Sequence, residues 1–401
     1  MKMLGIVAAV VLVSGLGVSA YAYYDLTTSF ASEAVELDGQ GSVPPDIGAI
    51  EGGVNLLLVG TDECEPEYAQ YFGARCTGPE ASGQLNDVNM LLHISDNPRR
   101  VTVISFPRDL MVEIPSCTRE DGTETGGSSY EQINAAWSYG GLNCVVKTVS
   151  QLSGMNIPFA AKVSFGNVIN ITDAIGGVDV CIGNGGMRDR NTGIDWAAGP
   201  RNVQGLEALQ FLRTRYGLEN GSDLARISNQ QQYMSSLARK LVSEEVLSNP
   251  STLLRLATTV VDNVTPSQSL TNPVTLVQIA RAVQGVPFEE MVFVRYPVVA
   301  DPYDANRVAP DDDAAEQLWA ALEANQSLQL TSDPNTSGGV ITADPAPTET
   351  PVEGEPTEPV EPTEGAAPVE PDPTETAAVL PESIQGQTAA QETCSAGNLA
   401  G

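Results

Sequence analysis

Basic residues are scarce in this chain, and histidine is almost absent. Its 401 residues include 20 Lys and Arg, 51 Asp and Glu and 1 His, which gives a net charge of −31 at pH 7. Proteins that bind nucleic acid need basic patches that neutralise phosphates, and this composition does not favour them. We therefore expect no nucleic acid among the partners of the protein.

The single histidine, His93, restricts the catalytic mechanisms open to the chain. It lies inside the apolar segment 91–94, which predicts a β-strand. A Ser-His-Asp or Cys-His mechanism would depend on this one residue. A histidine in the middle of a strand is usually structural, so the sequence argues against those mechanisms. The cysteines also lack the spacing of a zinc site.

Negative charge concentrates at the carboxyl-terminal end, where basic residues are absent. No Lys or Arg follows Arg307 but 18 Asp and Glu do, and removing these 18 charges from −31 leaves −13 for the rest. From residue 331 the composition is dominated by Pro, Thr, Glu and Ala, with repeated Glu-Pro and Pro-Thr-Glu units. Such a segment buries too little apolar surface to offset the entropy of ordering. We predict a disordered acidic tail over residues 331–401.

A long uncharged segment stands near the start of the chain. Residues 3–24 contain no charged side chain, which is enough for a helix that crosses the hydrocarbon core of a bilayer. We predict a transmembrane signal-anchor over residues 1–24 and a stalk over residues 25–50. Lys2 is the only positive charge beside the span, so the protein is expected to be a single-pass protein of the cell membrane whose carboxyl-terminal domain lies outside the cytoplasm. The alternative is a cleaved signal peptide, since Ala20-Tyr21-Ala22 fits an A-x-A cleavage site.

The 6 cysteines fit an exported chain, in which disulfides form and persist. Two local pairs are expected, Cys64–Cys76 around a Pro- and Gly-containing loop and Cys117–Cys144 around a Gly- and Ser-rich segment. Cys181 lies in an apolar run, where a buried free thiol and a disulfide are equally compatible with the pattern. Cys394 falls in the predicted tail.

The middle of the chain alternates strand-like and helix-like segments. The predicted strands are 54–59, 88–94, 101–105, 161–165, 178–182 and 291–296, and the predicted helices are 142–152, 168–174, one beginning at residue 205, 222–241 and 314–322. This alternation predicts an α/β fold with a central mixed or largely parallel β-sheet flanked by helices. The domain is expected to cover residues 51–330.

Two aspartates and an arginine stand where apolar strands meet loops. Asp62 and Arg108 follow their strands, and ligands of open α/β sheets bind at the carboxyl ends of strands. Asp87 precedes its strand, so it reaches the same rim if that strand runs antiparallel or its loop folds back. Two carboxylates at one rim suit Mg²⁺, a hard cation that keeps several waters and bridges phosphates. The alternative is that these aspartates only form turns.

A second group of polar residues follows in the helical part of the chain. Arg226 and Gln230 are four residues apart and share one helix face, whereas Arg213 and Arg215 would share a side only in an extended segment. The guanidinium group is a planar, bidentate donor suited to phosphate. The alternative for each arginine is a solvated, salt-bridged surface.

Read together, these segments resemble the LytR-CpsA-Psr family of envelope phosphotransferases. The resemblance covers roughly residues 54–245, and the matching segments occur in the family's order. They are NLLLVGTD (55–62), ND (86–87), SFPRD (105–109), INAA (133–136), GG (140–141), GGVDV (176–180), GLEAL (205–209), RTR (213–215), SDLAR (222–226) and QQ (230–231). An anchor, a short stalk and an exported domain also match the family's usual layout.

The resemblance implies a function and a set of site residues. A Mg²⁺-dependent enzyme of this kind transfers a glycopolymer from a polyprenyl-pyrophosphate donor to peptidoglycan or another envelope acceptor, and it holds the lipid in an apolar tunnel. Asp62 and Asp87 would hold Mg²⁺, and Asp87 and Arg108 would be the catalytic residues. The residues that would bind the phosphates of the donor are Arg108, Arg213, Arg215, Arg226 and Gln230.

The sequence departs from the family pattern at two positions. Leu85 and Asn229 stand where the family usually has arginines. One alternative is therefore a catalytically weak member that binds lipid carriers as a scaffold, and a second is a regulator of envelope genes. A third is a wall-binding structural protein that uses its acidic tail as a spacer.

Overall fold

The computed structural model describes residues 34–40, 53–72, 84–242, 250–343 and 377–401, together with residues 28, 30–32 and 76. The predicted signal-anchor lies outside these residues. No helix in the described ranges combines the length and the apolar composition needed to cross a bilayer. Part of the predicted stalk lies against the domain, because the Val35 amide donates to the Pro266 carbonyl at 2.9 Å and the Asp38 amide donates to Asn143 Oδ1 at 2.8 Å.

The regular elements follow each other closely along the described ranges. The helices are α1 (Ala136–Ser153), α2 (Asn167–Ile175), α3 (Gly205–Arg213), α4 (Asp223–Val242), α5 (Pro250–Asn263), α6 (Pro273–Val283) and α7 (Asp312–Glu323). The strands are β1 (Val54–Thr61), β2 (Asn86–Ile94), β3 (Val101–Phe106), β4 (Met111–Ile114), β5 (Cys117–Thr118), β6 (Glu124–Thr125), β7 (Ser128–Gln132), β8 (Phe159–Ser164), β9 (Val178–Asp189), β10 (Ile194–Val203), β11 (Thr265–Pro266), β12 (Met291–Arg295), β13 (Val298–Ala300), β14 (Val308–Pro310), β15 (Leu328–Gln329), β16 (Val340–Thr342), β17 (Ala378–Val379), β18 (Gly386–Thr388) and β19 (Thr393–Ser395).

A seven-stranded sheet forms the centre of the domain. Its strand order is β11-β8-β1-β2-β3-β12-β18. β1 is parallel to β8 and β3 is parallel to β12, whereas β1 and β3 both run antiparallel to β2. The predicted mixed sheet is therefore confirmed. Its centre consists of β1, β2 and β3, which correspond to the first three strands predicted from the sequence.

Helices cover both faces of this sheet. Alternate residues of β1 point to opposite faces, so Leu57 and Val59 belong to one buried cluster and Val54 and Leu56 to another. The first cluster contains residues of α1 and α7, and the second contains residues of α4 and α6. The result is the three-layer arrangement of an α/β fold.

A second sheet, of order β10-β9-β19-β16, extends the domain beside α3 and α4. The long hairpin of β9 and β10 was only partly predicted, because the predicted strand stops at Ile182 whereas β9 continues to Asp189. Glycines in this continuation hide the apolar alternation, and Gly186 has a φ of +133° that other residues rarely adopt. The hairpin buries Trp196 against Phe211 of α3, with ring centroids 6.4 Å apart.

The prediction of one disordered tail over residues 331–401 is wrong at both of its ends. Residues 331–343 include β16, and residues 377–401 supply β18 to the central sheet and β19 to the second sheet. Leu380 and Ile384 are at most 2% exposed and belong to the same buried cluster as Leu57 and Val59, so this terminal segment contributes to the core of the domain. The Pro-, Thr- and Glu-rich residues 344–376 lie outside the described residues, and their bias in composition obscured the apolar residues on either side.

Three disulfides join the described cysteines. The predicted pairs Cys64–Cys76 and Cys117–Cys144 are both present. The third, Cys181–Cys394, links β9 to β19 across 213 residues. Of the two alternatives for Cys181, the disulfide is therefore the one observed.

Candidate active site

The antiparallel course of β2 brings the two aspartates to one rim. β1 ends at Thr61, which pairs with Asn86 at the start of β2, and Phe106 at the end of β3 pairs with Asn89. Asp62 follows β1, Asp87 is the second residue of β2, and Arg108 lies two residues beyond β3. β2 runs antiparallel to β1, which is the direction that the sequence analysis required for Asp87 to reach the same rim as Asp62 and Arg108.

The two carboxylates of the rim are both buried. Asp62 is 2% exposed, and its Oδ1 accepts a hydrogen bond of 2.9 Å from the Leu85 amide. Asp87 is 7% exposed, and its Oδ2 accepts one of 3.1 Å from Arg108 Nη1. The second oxygen of Asp87, Oδ1, is buried without a hydrogen bond in the described part of the protein. A buried carboxylate oxygen is costly when it has no partner, so this atom is suited to a cation.

The two aspartates fit the ligand preferences of Mg²⁺, which takes one or two protein carboxylates and completes its shell with water and substrate phosphates. No group of three or more His, Cys, Asp or Glu side chains within the described ranges is arranged to hold a metal ion. A cation at this rim would thus depend on oxygen atoms supplied by substrate and solvent.

The amino-terminal turn of α4 contributes a third carboxylate, Asp223, which is not among the site residues predicted from the sequence. Ser222 caps the helix, because its Oγ accepts a hydrogen bond of 3.0 Å from the Ala225 amide. Asp223 Oδ1 lies 2.7 Å from Arg226 Nη2 and 3.4 Å from Arg108 Nε. Asp223 therefore bridges two of the predicted phosphate-binding arginines.

The charges of the rim act on one another at short range. Burial alone would lower the pKa of Arg108, but the nearby Asp87, Asp223 and Asp109 outweigh burial and raise it. The pKa of Arg226 is lowered, chiefly by burial, although Asp223 opposes that effect. Arg226 Nη2 also reaches the Asp87 carbonyl at 3.4 Å. Arg108 is thus held beside the Asp87 carboxylate and Arg226 beside the Asp87 main-chain carbonyl.

Asp109 extends this cluster toward the β13–β14 loop. Its Oδ1 accepts a hydrogen bond of 2.7 Å from Arg307 Nη1, and Arg108 Nε lies 3.7 Å from its Oδ2. Burial raises the pKa of Asp109, and Arg108, Arg307 and Arg215 oppose that effect. Arg215 acts electrostatically on both Asp109 and Arg226, so it belongs to the rim.

Arg213 and Gln230 lie at a neighbouring apolar cavity. The Arg213 guanidinium carbon is 4.6 Å from the ring centroid of Phe72 and 6.0 Å from that of Phe165. Gln230 Nε2 donates a hydrogen bond of 2.9 Å to the Leu212 carbonyl, which joins α4 to α3. The predicted site residues therefore form two sets: Asp62, Asp87, Arg108, Arg215 and Arg226 at the rim, and Arg213 and Gln230 at the cavity.

The cavity has a volume of about 260 Å³ and lies between the central sheet and helices α2, α3 and α4. Its walls are almost wholly apolar, and Gly60 and Val88 place one wall directly beside Asp62 and Asp87. A side chain at Gly60 would not fit there, since its Cβ would lie 2.8 Å from Val88 Cβ. The sequence motifs implied such a space, but no local pattern predicts its walls, because they come from six separate elements.

The two residues that depart from the family pattern have structural partners. Leu85 supplies the amide that donates to Asp62. Asn229 is fully buried, where its Nδ2 donates to the Phe211 carbonyl at 3.0 Å and its Oδ1 accepts from Ser395 Oγ at 2.6 Å. Asn229 thus connects α4 to the carboxyl-terminal segment.

His93 is remote from the rim and has a structural role, as predicted. It pairs with Asn55 near the opposite end of β1, and its Nδ1 is 2.8 Å from Asn55 Oδ1. Asn55 Nδ2 donates to the Asn156 carbonyl, so Asn55 Oδ1 is the acceptor and the imidazole carries its proton on Nδ1. Burial lowers the pKa of His93 to about 4.

The combination of a three-layer α/β domain, an apolar cavity and an adjoining cluster of arginines and carboxylates defines a class of envelope proteins. A model of the LytR_cpsA_psr family matches residues 20–324. The chain belongs to this family, and the resemblance seen in its sequence motifs is confirmed.

Several named proteins are similar to this chain at moderate identity. The cell wall biosynthesis protein LcpA of Corynebacterium glutamicum is 27% identical over 310 residues, which are 73% of this chain and 58% of LcpA. The probable cell wall biosynthesis protein LcpB of the same organism is 29% identical over 72% of this chain and 65% of LcpB. The chain thus spans less than two thirds of the length of either. The polyisoprenyl-teichoic acid–peptidoglycan teichoic acid transferase TagT of Bacillus subtilis is 25% identical over 59% of this chain and 68% of TagT.

Solved structures support the fold. The LytR-Csp2A-Psr enzyme from Actinomyces oris superposes with a TM-score of 0.53 and 20% identity, over 72% of this chain and 96% of that enzyme. TagT bound to LIIa-WTA superposes with a TM-score of 0.53 and 20% identity, over 73% of this chain and 98% of TagT. At such identities the likeness concerns the fold alone.

Proposed function

We propose that the protein is an envelope phosphotransferase that moves a glycopolymer from a polyprenyl-pyrophosphate donor to a hydroxyl of peptidoglycan or another envelope acceptor. The observation that carries this proposal is the contact between the apolar cavity and the charged rim. A polyprenyl chain needs an apolar site, and its pyrophosphate needs cationic donors at the mouth of that site. Gly60 and Val88 line the cavity within two residues of Asp62 and Asp87, so both requirements are met in one place.

The proposed reaction exchanges the phosphoanhydride bond of the donor for a phosphodiester bond to the acceptor. The acceptor hydroxyl oxygen attacks the sugar-linked phosphorus, the bond from that phosphorus to the bridging oxygen breaks, and polyprenyl phosphate leaves. One proton is released from the attacking hydroxyl. The pyrophosphate bond supplies the driving force, so no nucleotide is needed. Phosphoryl transfer depends mainly on positioning and charge stabilisation.

The residues of the rim would have different roles in this reaction. Arg108 and Arg226 are held by Asp223 and would bind the phosphate oxygens as charge develops during transfer. Arg215 would add positive charge, while Arg213 and Gln230 would lie beside the lipid-linked phosphate at the cavity. Asp62 and Asp87 would hold Mg²⁺, which when bound would neutralise charge on the pyrophosphate.

The test is transfer from a synthetic polyprenyl-pyrophosphate-linked saccharide to purified peptidoglycan, with and without Mg²⁺. Arg108→Ala should reduce the rate by about 10² to 10³, as loss of one such donor does in other enzymes. Asp87→Ala should weaken the dependence on Mg²⁺ and leave the fold intact. Arg188→Ala is the matched control, because the Arg188 side chain is 44% exposed and its ion pair within the described residues is with the 70% exposed side chain of Asp195.

The variant Leu85→Arg distinguishes between two proposals, an enzyme and a lipid-binding scaffold. It should raise turnover or donor affinity if the family's arginine at this position is what the chain lacks. If the wild type binds the donor but gives no Mg²⁺-dependent transfer, and Leu85→Arg restores none, the enzyme proposal is wrong and the scaffold is the better account.

A further inference from the structure

Two tyrosines stand exposed in contact with each other on the surface next to the rim. Tyr303 is 86% exposed and Tyr130 is 40% exposed. Their ring centroids are 5.8 Å apart and the ring planes meet at 84°, an edge-to-face arrangement. Exposed aromatic rings grouped in this way are uncommon on a soluble surface and usually mark a contact with a ligand or partner.

Asp301 holds both tyrosines in place. Its Oδ2 accepts a hydrogen bond from the Tyr130 hydroxyl, and its Oδ1 accepts from the amides of Tyr303 at 2.8 Å and Asp304 at 2.7 Å. The bond to Asp301 raises the pKa of Tyr130 to about 12, so the phenol remains a neutral donor. A surface that is ordered before binding loses less entropy when a ligand arrives.

The same loop is tied to the rim. The Asp301 amide donates to the Arg307 carbonyl at 3.1 Å, and Arg307 Nη1 donates to Asp109 Oδ1 at 2.7 Å. Tyr303 is four positions before Arg307, a distance of at most roughly 14 Å along an extended chain. Asp109 directly follows Arg108, so the tyrosine pair lies within a few sugar lengths of the proposed transfer site.

The charged residues around the two tyrosines favour one kind of ligand over another. Asp301 and Asp304 belong to the loop, Asp312 and Asp313 begin the nearby α7, and no Lys or Arg follows Arg307. Anionic ligands are therefore disfavoured beside the rings. A neutral sugar presents one apolar C–H face, which packs on an aromatic ring, and hydroxyls that bond to carboxylates and phenols. A polymeric acceptor also extends beyond its reacting hydroxyl, so its neighbouring sugars need a surface of their own.

We propose that Tyr130 and Tyr303 form a saccharide-binding platform that holds the glycan of the acceptor beside the rim. This platform rests on the proposed function for its role in transfer, but the binding of sugar can be measured without turnover. Tyr303 supplies the exposed ring face, and Tyr130 supports that ring and adds a hydroxyl.

The experiment measures binding of a tetrasaccharide of β-1,4-linked N-acetylglucosamine to the full chain, by calorimetry or by perturbation of NMR signals. Tyr303→Ala should weaken binding about three- to tenfold, the scale of one aromatic contact, and Tyr303→Phe should retain it. Tyr71→Ala is the control, because Tyr71 is a 41% exposed tyrosine on the separate Cys64–Cys76 loop. In the transfer assay, Tyr303→Ala should raise KM for peptidoglycan and leave kcat almost unchanged.

The outcomes distinguish the platform from the proposed function. Tetrasaccharide binding that is absent in the wild type, or equal in wild type and Tyr303→Ala, would overturn the platform, even if transfer is normal. Binding that Tyr303→Ala loses and Tyr303→Phe keeps supports the platform, even if no transfer is detected. Equal loss in Tyr71→Ala and Tyr303→Ala would indicate a nonspecific effect and also refute it. Because Tyr303 is so exposed, Tyr303→Ala is not expected to change the melting temperature. Tyr130→Phe provides a second variant, which keeps the ring of Tyr130 but not its hydroxyl.

Discussion

Asp223 balances the charge of the rim, because it contacts Arg226 at 2.7 Å and Arg108 at 3.4 Å. Arg226 is only 7% exposed in its side chain, so solvent cannot screen its charge. Two guanidinium groups this close would repel each other without an anion between them. Asp223 is therefore a positioning residue for both arginines.

Replacing Asp223 by Asn should remove that charge and keep nearly the same shape. We expect a loss of roughly 3 kcal/mol in the free energy of unfolding, because a buried arginine is left without its partner. Transfer activity should fall by at least about tenfold, with the larger change in kcat, and the melting temperature and kinetics would report both effects. Asp195→Asn removes an exposed carboxylate paired with Arg188 and should change neither. Wild-type kinetics in Asp223→Asn would show that the arginines hold their positions without it.

His93 predicts a pH dependence of stability. Its pKa is about 4 in the folded protein, because burial disfavours the charged imidazole, and near 6.5 in the unfolded chain. The folded state thus binds fewer protons, so stability is complete above pH 6.5 and is lost as pH falls toward 4. The full effect is about 3 kcal/mol.

Melting curves of wild type and His93→Gln between pH 7 and pH 4.5 measure this effect. The wild type should lose more stability over that range than the variant, because it alone contains a histidine and the carboxylates titrate in both. Parallel pH profiles would show that His93 does not contribute.

The position of three site residues could be predicted from the sequence, whereas their roles stay predictions. Asp62, Asp87 and Arg108 each stand at a strand boundary, so the sheet brings them to one rim. Asp223 was missed because a first-turn acidic residue is already explained by the helix dipole. Arg213 lies at the cavity and Arg215 at the rim because α3 ends at Arg213. The local sequence pattern does not predict where that helix ends.

Among the elements, the carboxyl-terminal segment 377–401 has a larger role than its sequence suggests. Its β18 extends the central sheet, and β19 lies beside β9 in the second. Gln232 of α4 donates to the Thr393 carbonyl at 2.6 Å, and Asn229 accepts from Ser395. The segment therefore supports the helix whose first turn carries Asp223 and Arg226.

Truncation after residue 343 should destabilise the protein by roughly 5 kcal/mol or more, since buried apolar side chains and the Cys181–Cys394 disulfide are lost. That corresponds to about 10 °C or more in Tm, and transfer activity should fall with it. The matched control replaces residues 344–376 by a Gly/Ser linker of equal length and should behave like the wild type. An unchanged Tm in the truncated protein would contradict this supporting role.

The three middle strands of the central sheet could be predicted from the sequence because apolar runs of this length leave few alternatives. β1, β2 and β3 were predicted nearly to their ends. The β9–β10 hairpin and the terminal strands could not be, because they are short or glycine-rich and are stabilised by partners distant in sequence. β19 pairs with strands some 50 and 200 residues earlier, which no local pattern records.

For the whole molecule, the predicted anchor over residues 1–24 would determine how the domain meets the proposed donor. A polyprenyl donor resides in a membrane, so an anchored domain would meet it without diffusing away. The family model begins at residue 20, so it scarcely overlaps this segment, and the described residues begin after it. The anchor is therefore a prediction of the sequence.

Full-length protein should stay with membranes after washing at alkaline pH, because a spanning apolar helix is not released by loss of charge interactions. A variant that lacks residues 1–24 and is exported by an unrelated cleaved signal should appear in the soluble fraction with its fold unchanged. Amino-terminal sequencing supplies the deciding measurement. An intact Met1-Lys2 supports the anchor, whereas a mature terminus at Tyr21 or Tyr23 would identify a cleaved signal peptide. In that case the apolar cavity alone would have to draw the lipid from the bilayer, and transfer from donor in vesicles should then be equal for the full-length and shortened proteins.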